Sequence, residues 1–193
     1  DELMECELGM TGKYNVYNAL AAAAASFASG LSFQDIKRGL EQFTGVDRRL
    51  QKLGRVGNCD VFSDYAHHPH EIESTIESLK NAGYARVGII FEPHTYTRTQ
   101  SLLNDFADAL RHADDVCLAA VYPAREAPIE GVSSHALARA LIERGKNACA
   151  YDTFCELYRR AAYFTAKCDA LAFCGAGIID RAAAGFFKAH TAE

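Results

Sequence analysis

Apolar positions recur at helical spacing near the start of the chain and in short continuous runs further on. The opening thirty residues read as helix: Asn15, Val16, Tyr17, Asn18, Ala19 and Leu20 lead into the alanine run 21–25, and Gly30 is its stop. Ser32 caps a second, shorter helix over 33–43, with Ile36, Leu40 and Phe43 on one face. Residues 44–49 form a polar break containing Gly45 and two adjacent arginines, and beyond it the pattern changes. From about residue 55, apolar runs alternate with amphipathic stretches. Residues 56–62 predict one or two strands around Gly57 and Asn58, and 86–91, 116–121, 147–151 and 170–174 predict further strands. Helices are predicted over 70–82, 99–112, 134–144, 153–165 and 179–189. Strands alternating with helices of this length define the fold class as α/β, a mostly parallel sheet flanked by helices with right-handed crossovers.

Composition narrows the picture. Of 193 residues, 49% are hydrophobic and 23% charged, which excludes a disordered chain because there is ample apolar surface to bury. Twenty-five acidic residues against 20 basic ones leave a net charge of −5, so there is no global basic field and no nucleic-acid partner is expected. The uncharged stretch 14–32 carries two Asn, three Ser and five consecutive Ala, and reads as a soluble helix rather than a membrane span. The first residues lack a basic segment followed by an apolar run, so no signal peptide is read and a cytoplasmic location is expected. The seven cysteines (6, 59, 117, 149, 155, 168 and 174) include no C-x-x-C pair. They read as reduced thiols acting as small buried hydrophobes, and their spacing gives no zinc site.

In a sheet of this kind ligands bind beyond the carboxyl ends of the strands, so the residues just after each strand should be polar. They are. Ser63 to Glu71 includes Asp64, Tyr65, His67, His68 and Pro69; the run after the next strand holds Glu92, Pro93, His94, Thr95, Tyr96, Thr97 and Arg98; Tyr122 to Glu126 follows a third, and Gly175, Ala176, Gly177 a fourth. Asp64 with His67 and His68 has the donor types of a metal site, but adjacent histidines seldom aim at one ion. Asp64 reads instead as a carboxylate for a ribose hydroxyl or a magnesium-bound nucleotide, or else as a shaper, with Pro69, of a helix start. His94 and Arg98 suit an anionic group, carboxylate or phosphate, while the same stretch also reads as a solvated loop with capping threonines. The Gly-Ala-Gly turn either presents N–H groups to phosphate or is simply a tight strand-to-helix turn. Arg48 and Arg49, at the polar break, could reach a triphosphate or sit on a solvated turn. Gly9, Met10, Thr11, Gly12 and Lys13 are not a phosphate-binding loop, because only two residues separate the glycines and Tyr14 follows the lysine.

Together, the runs Tyr14 to Ala22, Gly45 to Arg49, Asp64-Tyr65-Ala66-His67-His68-Pro69, Pro93 to Thr99 and Gly175-Ala176-Gly177 resemble the Mur ligases over nearly the whole chain. The resemblance implies a Rossmann-like carboxyl-terminal domain over 46–193, preceded at 1–45 by a short helical remnant of a central ATPase domain. It implies ATP-dependent joining of L-alanine to UDP-N-acetylmuramate through an acyl phosphate, with ATP and Mg2+ bound mainly by other parts of the enzyme. A chain with no phosphate-binding loop would then be inactive alone. The implied catalytic residues are His67, His94 and Arg98. Tyr65, His68, Tyr96 and Arg98 would bind substrate, and Asn15, Asn18, Arg48, Arg49 and Asp64 the nucleotide; no metal ligand is implied. Tyr14 stands where the family commonly has His, and Thr95 where many members have Arg. Two other readings stay open: the related ligase that recycles a murein tripeptide, and a non-catalytic module that binds a nucleotide or a partner.

Overall fold

The computed structural model describes residues 4–10 and 12–191, with backbone alone at Lys13 and Tyr14; the Tyr14 side chain and Thr11 lie outside the described residues. The chain divides into two compact units, Asp1–Val46 and Asp47–Glu193.

The first unit contains α1 (Lys13–Ala28) and α2 (Phe33–Gln42). The helix expected across the first thirty residues is shorter at its start, since residues 4–10 are irregular and Gly12 at φ 103° cannot continue a right-handed turn. Ser32 does cap α2, its hydroxyl accepting from the Asp35 N–H at 3.2 Å. Phe27 stacks on Phe33 at 4.9 Å, yet both rings, with Val16, Tyr17 and Leu20, stay exposed. Among the described residues of these two helices, only Ile36 is buried.

The second unit runs β1 (Gln51–Val56), β2 (Cys59–Asp64), α3 (Pro69–Asn81), β3 (Val87–Phe91), α4 (Tyr96–Ser101), α5 (Leu103–Leu110), β4 (Asp115–Ala119), α6 (Ser134–Glu143), β5 (Ala148–Tyr151), α7 (Phe154–Thr165), β6 (Ala170–Cys174) and α8 (Ile179–Thr191). Its six strands lie in the order β1-β2-β6-β3-β4-β5. β2, β6, β3, β4 and β5 are mutually parallel, and β1 joins the edge antiparallel to β2. The α/β class read from the pattern is what the chain adopts. Every residue of β2, β3 and β6 is buried, the signature of parallel strands covered on both faces. Along β6 the faces alternate: Ala170, Ala172 and Cys174 pack with Ile72, Phe91 and Phe106 of one layer. Leu171 and Phe173 pack with Phe164, Ile179 and Phe186 of the other.

Three local expectations are corrected. Of the one or two strands expected over 56–62 there are two, joined by the turn at Gly57 and Asn58, but β1 begins as early as Gln51, where a half-exposed, largely polar sequence hides it. The single helix expected at 99–112 starts earlier and breaks at Leu102 (φ −114°, ψ 19°). Just before the break, the Thr99 and Ser101 hydroxyls donate to the carbonyls of Thr95 and Thr97, an arrangement that bends helices. Strand β4 ends at Ala119, so Val121 and Tyr122 belong to the loop beyond it. All seven cysteines are free thiols, but Cys6, Cys149 and Cys155 are not buried as expected. No helix among the described residues is long and apolar enough to cross a membrane.

Candidate active site

Four rings form a row across the carboxyl ends of β2, β3 and β4. Tyr65 meets His67 edge-on at 5.1 Å, His67 faces His94 at 6.2 Å, and His94 stacks on Tyr122 at 5.4 Å. The β2 end is set by Asp64. Its carboxylate, 6% exposed, accepts from the Ala66 N–H at 3.0 Å and the Thr75 hydroxyl at 2.9 Å, tying the loop to α3. Burial nevertheless raises the Asp64 pKa above its ordinary value. Glu71, in the first turn of α3, accepts from the N–H groups of His67 and His68 at 2.9 and 3.1 Å.

His67 Nδ1 lies 2.9 Å from the Tyr65 carbonyl. A carbonyl can only accept, so Nδ1 carries the proton and Nε2 of the neutral ring is left as an acceptor. His94 is held by a parallel bridge to Tyr122, in which the Tyr122 N–H donates to Pro93 and the Thr95 N–H donates to Tyr122. Burial, then the charge of Arg98 and then His67, lowers the His94 pKa from its ordinary 6.5, which favours the neutral ring. Among the described residues its buried Nδ1 has no hydrogen-bond partner, and neither has Nη1 of Arg98. Thr95, at φ 68°, caps α4 by accepting from the Arg98 N–H at 3.4 Å. Glu126 then accepts from the Thr97 N–H at 2.8 Å and hydroxyl at 2.6 Å, clamping this turn from the β4 side.

Other residues singled out in the sequence take different places. Arg48 donates to the carbonyls of Gly175 at 2.8 Å and Gly177 at 3.4 Å and pairs with Asp180 at 3.6 Å, while its buried Nε has no partner among the described residues. Arg49 is exposed, its guanidinium 5.9 Å from the Tyr65 ring centre. His68 lines an open groove of about 480 Å³ between α3 and α5 with Glu73, Asp108 and His112. Tyr96 is half-buried at the start of α4. Asn15 and Asn18 sit three residues apart on α1, in the first unit.

Just beyond the Gly-Ala-Gly turn, the Ile178 N–H donates to Glu92 Oε2 at 3.3 Å. Burial raises the Glu92 pKa against the pull of the amides around it. A Cβ at Gly177 would stand 2.4 Å from Glu92 Oε1 and 2.5 Å from Tyr122, so only glycine fits. Glu92, Tyr122 and Glu126 were each visible as polar residues following a strand, yet nothing in their spacing marks them out. Among the described residues no three His, Cys, Asp or Glu side chains converge on a metal position.

The molecule is an α/β domain with a guanidinium and two imidazoles at the strand ends of its parallel sheet, the place where ligands of such sheets bind. Comparison with known proteins gives the family. Residues 48–177 match the family described as Mur ligase, glutamate ligase domain, and the chain belongs to that family. It is 43% identical over 175 residues to the UDP-N-acetylmuramate–L-alanine ligase of Lachnospira eligens, covering 89% of this chain but 38% of that protein. The crystal structure of the UDP-N-acetylmuramate–alanine ligase of Thermotoga maritima superposes with a TM-score of 0.78 at 28% identity, over 97% of this chain and 40% of the other. A murein peptide ligase from Psychrobacter arcticus shares the fold, with a TM-score of 0.66 at 22% identity over 97% of this chain and 39% of the other. The chain thus spans about two fifths of the length of these relatives.

Proposed function

We propose that this chain is the carboxyl-terminal part of an ATP-dependent ligase that joins L-alanine to UDP-N-acetylmuramate in peptidoglycan precursor synthesis, a cytoplasmic reaction. In this reading residues 46–193 are the closing domain and 1–45 belong to the preceding ATPase domain. The observation that carries it is the pair of buried, unpartnered nitrogens, His94 Nδ1 and Arg98 Nη1, in a chain 43% identical to such a ligase. Arg98 receives the carboxylate of the amino acid, while Tyr65 and Tyr96 shape its pocket. His67 and neutral His94 accept protons from its ammonium group, freeing the amine to attack an activated carbonyl. ATP supplies that activation by phosphorylating the muramoyl carboxylate.

The chain's own residues fit a nucleotide in part. Arg49 is exposed and free to meet a phosphate, and Asn15 and Asn18 are assigned to adenine by resemblance. Arg48 and Asp64 already have protein partners, so their work is to hold the Gly175–Gly177 turn and the 64–66 turn in place. The described residues form no ligand cluster for Mg2+. The site itself is formed mainly by positioning and fixed charge.

The test is phosphate release from ATP in the presence of UDP-N-acetylmuramate, with the 193-residue chain and with the full-length ligase that contains it. L-Alanine-dependent release by the full-length protein and none by the 193 residues is the expected result. Arg98→Ala should raise KM for L-alanine by roughly 10- to 100-fold, the worth of one charge-assisted hydrogen bond. Release with a murein tripeptide alone would reassign the chain to the recycling ligase. Silence with every acceptor would leave a binding module.

A further inference from the structure

On the far half of the sheet, β4 and β5 place Cys117 and Cys149 in register as neighbours on adjacent parallel strands. Side chains at paired positions leave the same face, and here that face is covered by α7. Cys117 is fully buried, whereas Cys149, on the edge strand, is half-buried and reachable from solvent. The Cys149 thiol donates to the Val116 carbonyl at 3.8 Å, beside Cys117 in the facing strand, and the positive charge of Arg160 on α7 favours its thiolate. Arg160 lies over the rings of Tyr163 and Phe164, at 4.7 and 4.8 Å, and its buried Nε has no hydrogen-bond partner among the described residues.

We propose that Cys117 and Cys149 form a reversible dithiol–disulfide site oxidised by hydrogen peroxide or an organic hydroperoxide, with Arg160 stabilising the attacking Cys149 thiolate. The Cys149 sulfur attacks one peroxide oxygen, the O–O bond breaks, and water or the alcohol departs with the thiol proton, leaving a sulfenic acid. The Cys117 sulfur then attacks the Cys149 sulfur. The S–S bond forms, the S–O bond breaks, and the leaving hydroxide takes the Cys117 proton as water. Two thiols and one peroxide thus give one disulfide and one water, plus a second water or an alcohol. The electrostatics agree with this division of labour. Hydrogen bonding from Cys117 and the Arg160 charge bring the Cys149 pKa down to about 7, while Cys117, the donor, is pushed upward. Adjacent strands lie about 4.8 Å apart, near the short end of the separation a disulfide spans. The bond would therefore be strained and easily reduced, a reactive link and not a staple.

The experiment treats the 193-residue chain with hydrogen peroxide and reads intact mass and the linked peptides. The expected product is lighter by two hydrogens, with Cys117 joined to Cys149, and dithiothreitol restores the original mass. Cys117→Ala should stop at a sulfenic acid on Cys149 that dimedone traps. Arg160→Gln should slow the reaction at pH 7 roughly fivefold, as a one-unit rise in thiol pKa from about 7 does by lowering the thiolate fraction. A second measurement on the unaltered chain needs no variant to fold: iodoacetamide at pH 7 should label Cys149 faster than the exposed Cys155. The proposal is overturned if Cys155 reacts first, if chains link to each other while Cys149 stays reduced, or if Cys149 oxidises without joining Cys117.

Discussion

His94 illustrates how one side chain couples site and stability. Its pKa is lowered by burial, by Arg98 and by His67, from an ordinary 6.5. As pH falls through 6.5 the unfolded chain takes up this proton before the folded one does. The folded state is therefore most favoured above that value and loses stability on the way down to the lowered pKa. Arg98→Met removes a neighbouring positive charge and should raise the His94 pKa, which an NMR titration of the imidazole would read directly; an unchanged value would mean that burial alone sets it. His94 and Arg98 were legible in the sequence because polar residues immediately after a buried strand have few structural reasons to be there. Arg48 was not. Its partners, the carbonyls of Gly175 and Gly177, are 127 and 129 residues away. Nothing local distinguishes an arginine that grips a turn from one that awaits a phosphate. The same holds for Asp64, whose hydroxyl partner, Thr75, comes into reach only when α3 folds back along the sheet.

Among the elements, the buried strands β2, β3 and β6 announced themselves as apolar runs, because both of their faces are covered. β1 did not, since an edge strand with Lys52 and Arg55 outward looks like a loop. What fixes β1 is electrostatic. Lys52 and Arg55 reach across the hairpin to Asp60, 2% exposed, at 2.7 and 2.8 Å, and the Tyr84 hydroxyl donates to the same carboxylate at 2.7 Å. The Arg55 hydrogen bond leads in holding the Asp60 pKa far below the ordinary 3.8, with Lys52 and Tyr84 adding to it against the opposing effect of burial. The stabilisation is complete above the unfolded-state value and is lost as pH falls below it. Asp60→Asn should cost about 1–3 kcal/mol at neutral pH and flatten the acid side of the stability profile. The figure stays modest because both cations are half in water. Urea melts between pH 2 and 7 check both effects, and parallel profiles for the two proteins would remove Asp60 as the cause.

At the scale of the molecule, the core lies almost wholly beyond residue 46, with Ile36 the one buried apolar side chain among the described residues before it. Residues 47–193 should accordingly fold and unfold cooperatively when expressed alone, giving a single calorimetric transition. A broad, non-cooperative melt would show that the helices of residues 1–46 are needed for the fold. The strand order carries a further consequence for how the protein is made. β6, the last strand, lies between β2 and β3. A nascent chain that has not yet released residues 170–174 from the ribosome holds its strands as two separate ribbons, each with an open inner edge. Val61, Phe62, Ile89 and Ile90, buried in the finished sheet, would be uncovered during that interval, when unpaired strand edges readily join those of other chains. The interval before β6 emerges is therefore one in which pairing with other chains competes with folding.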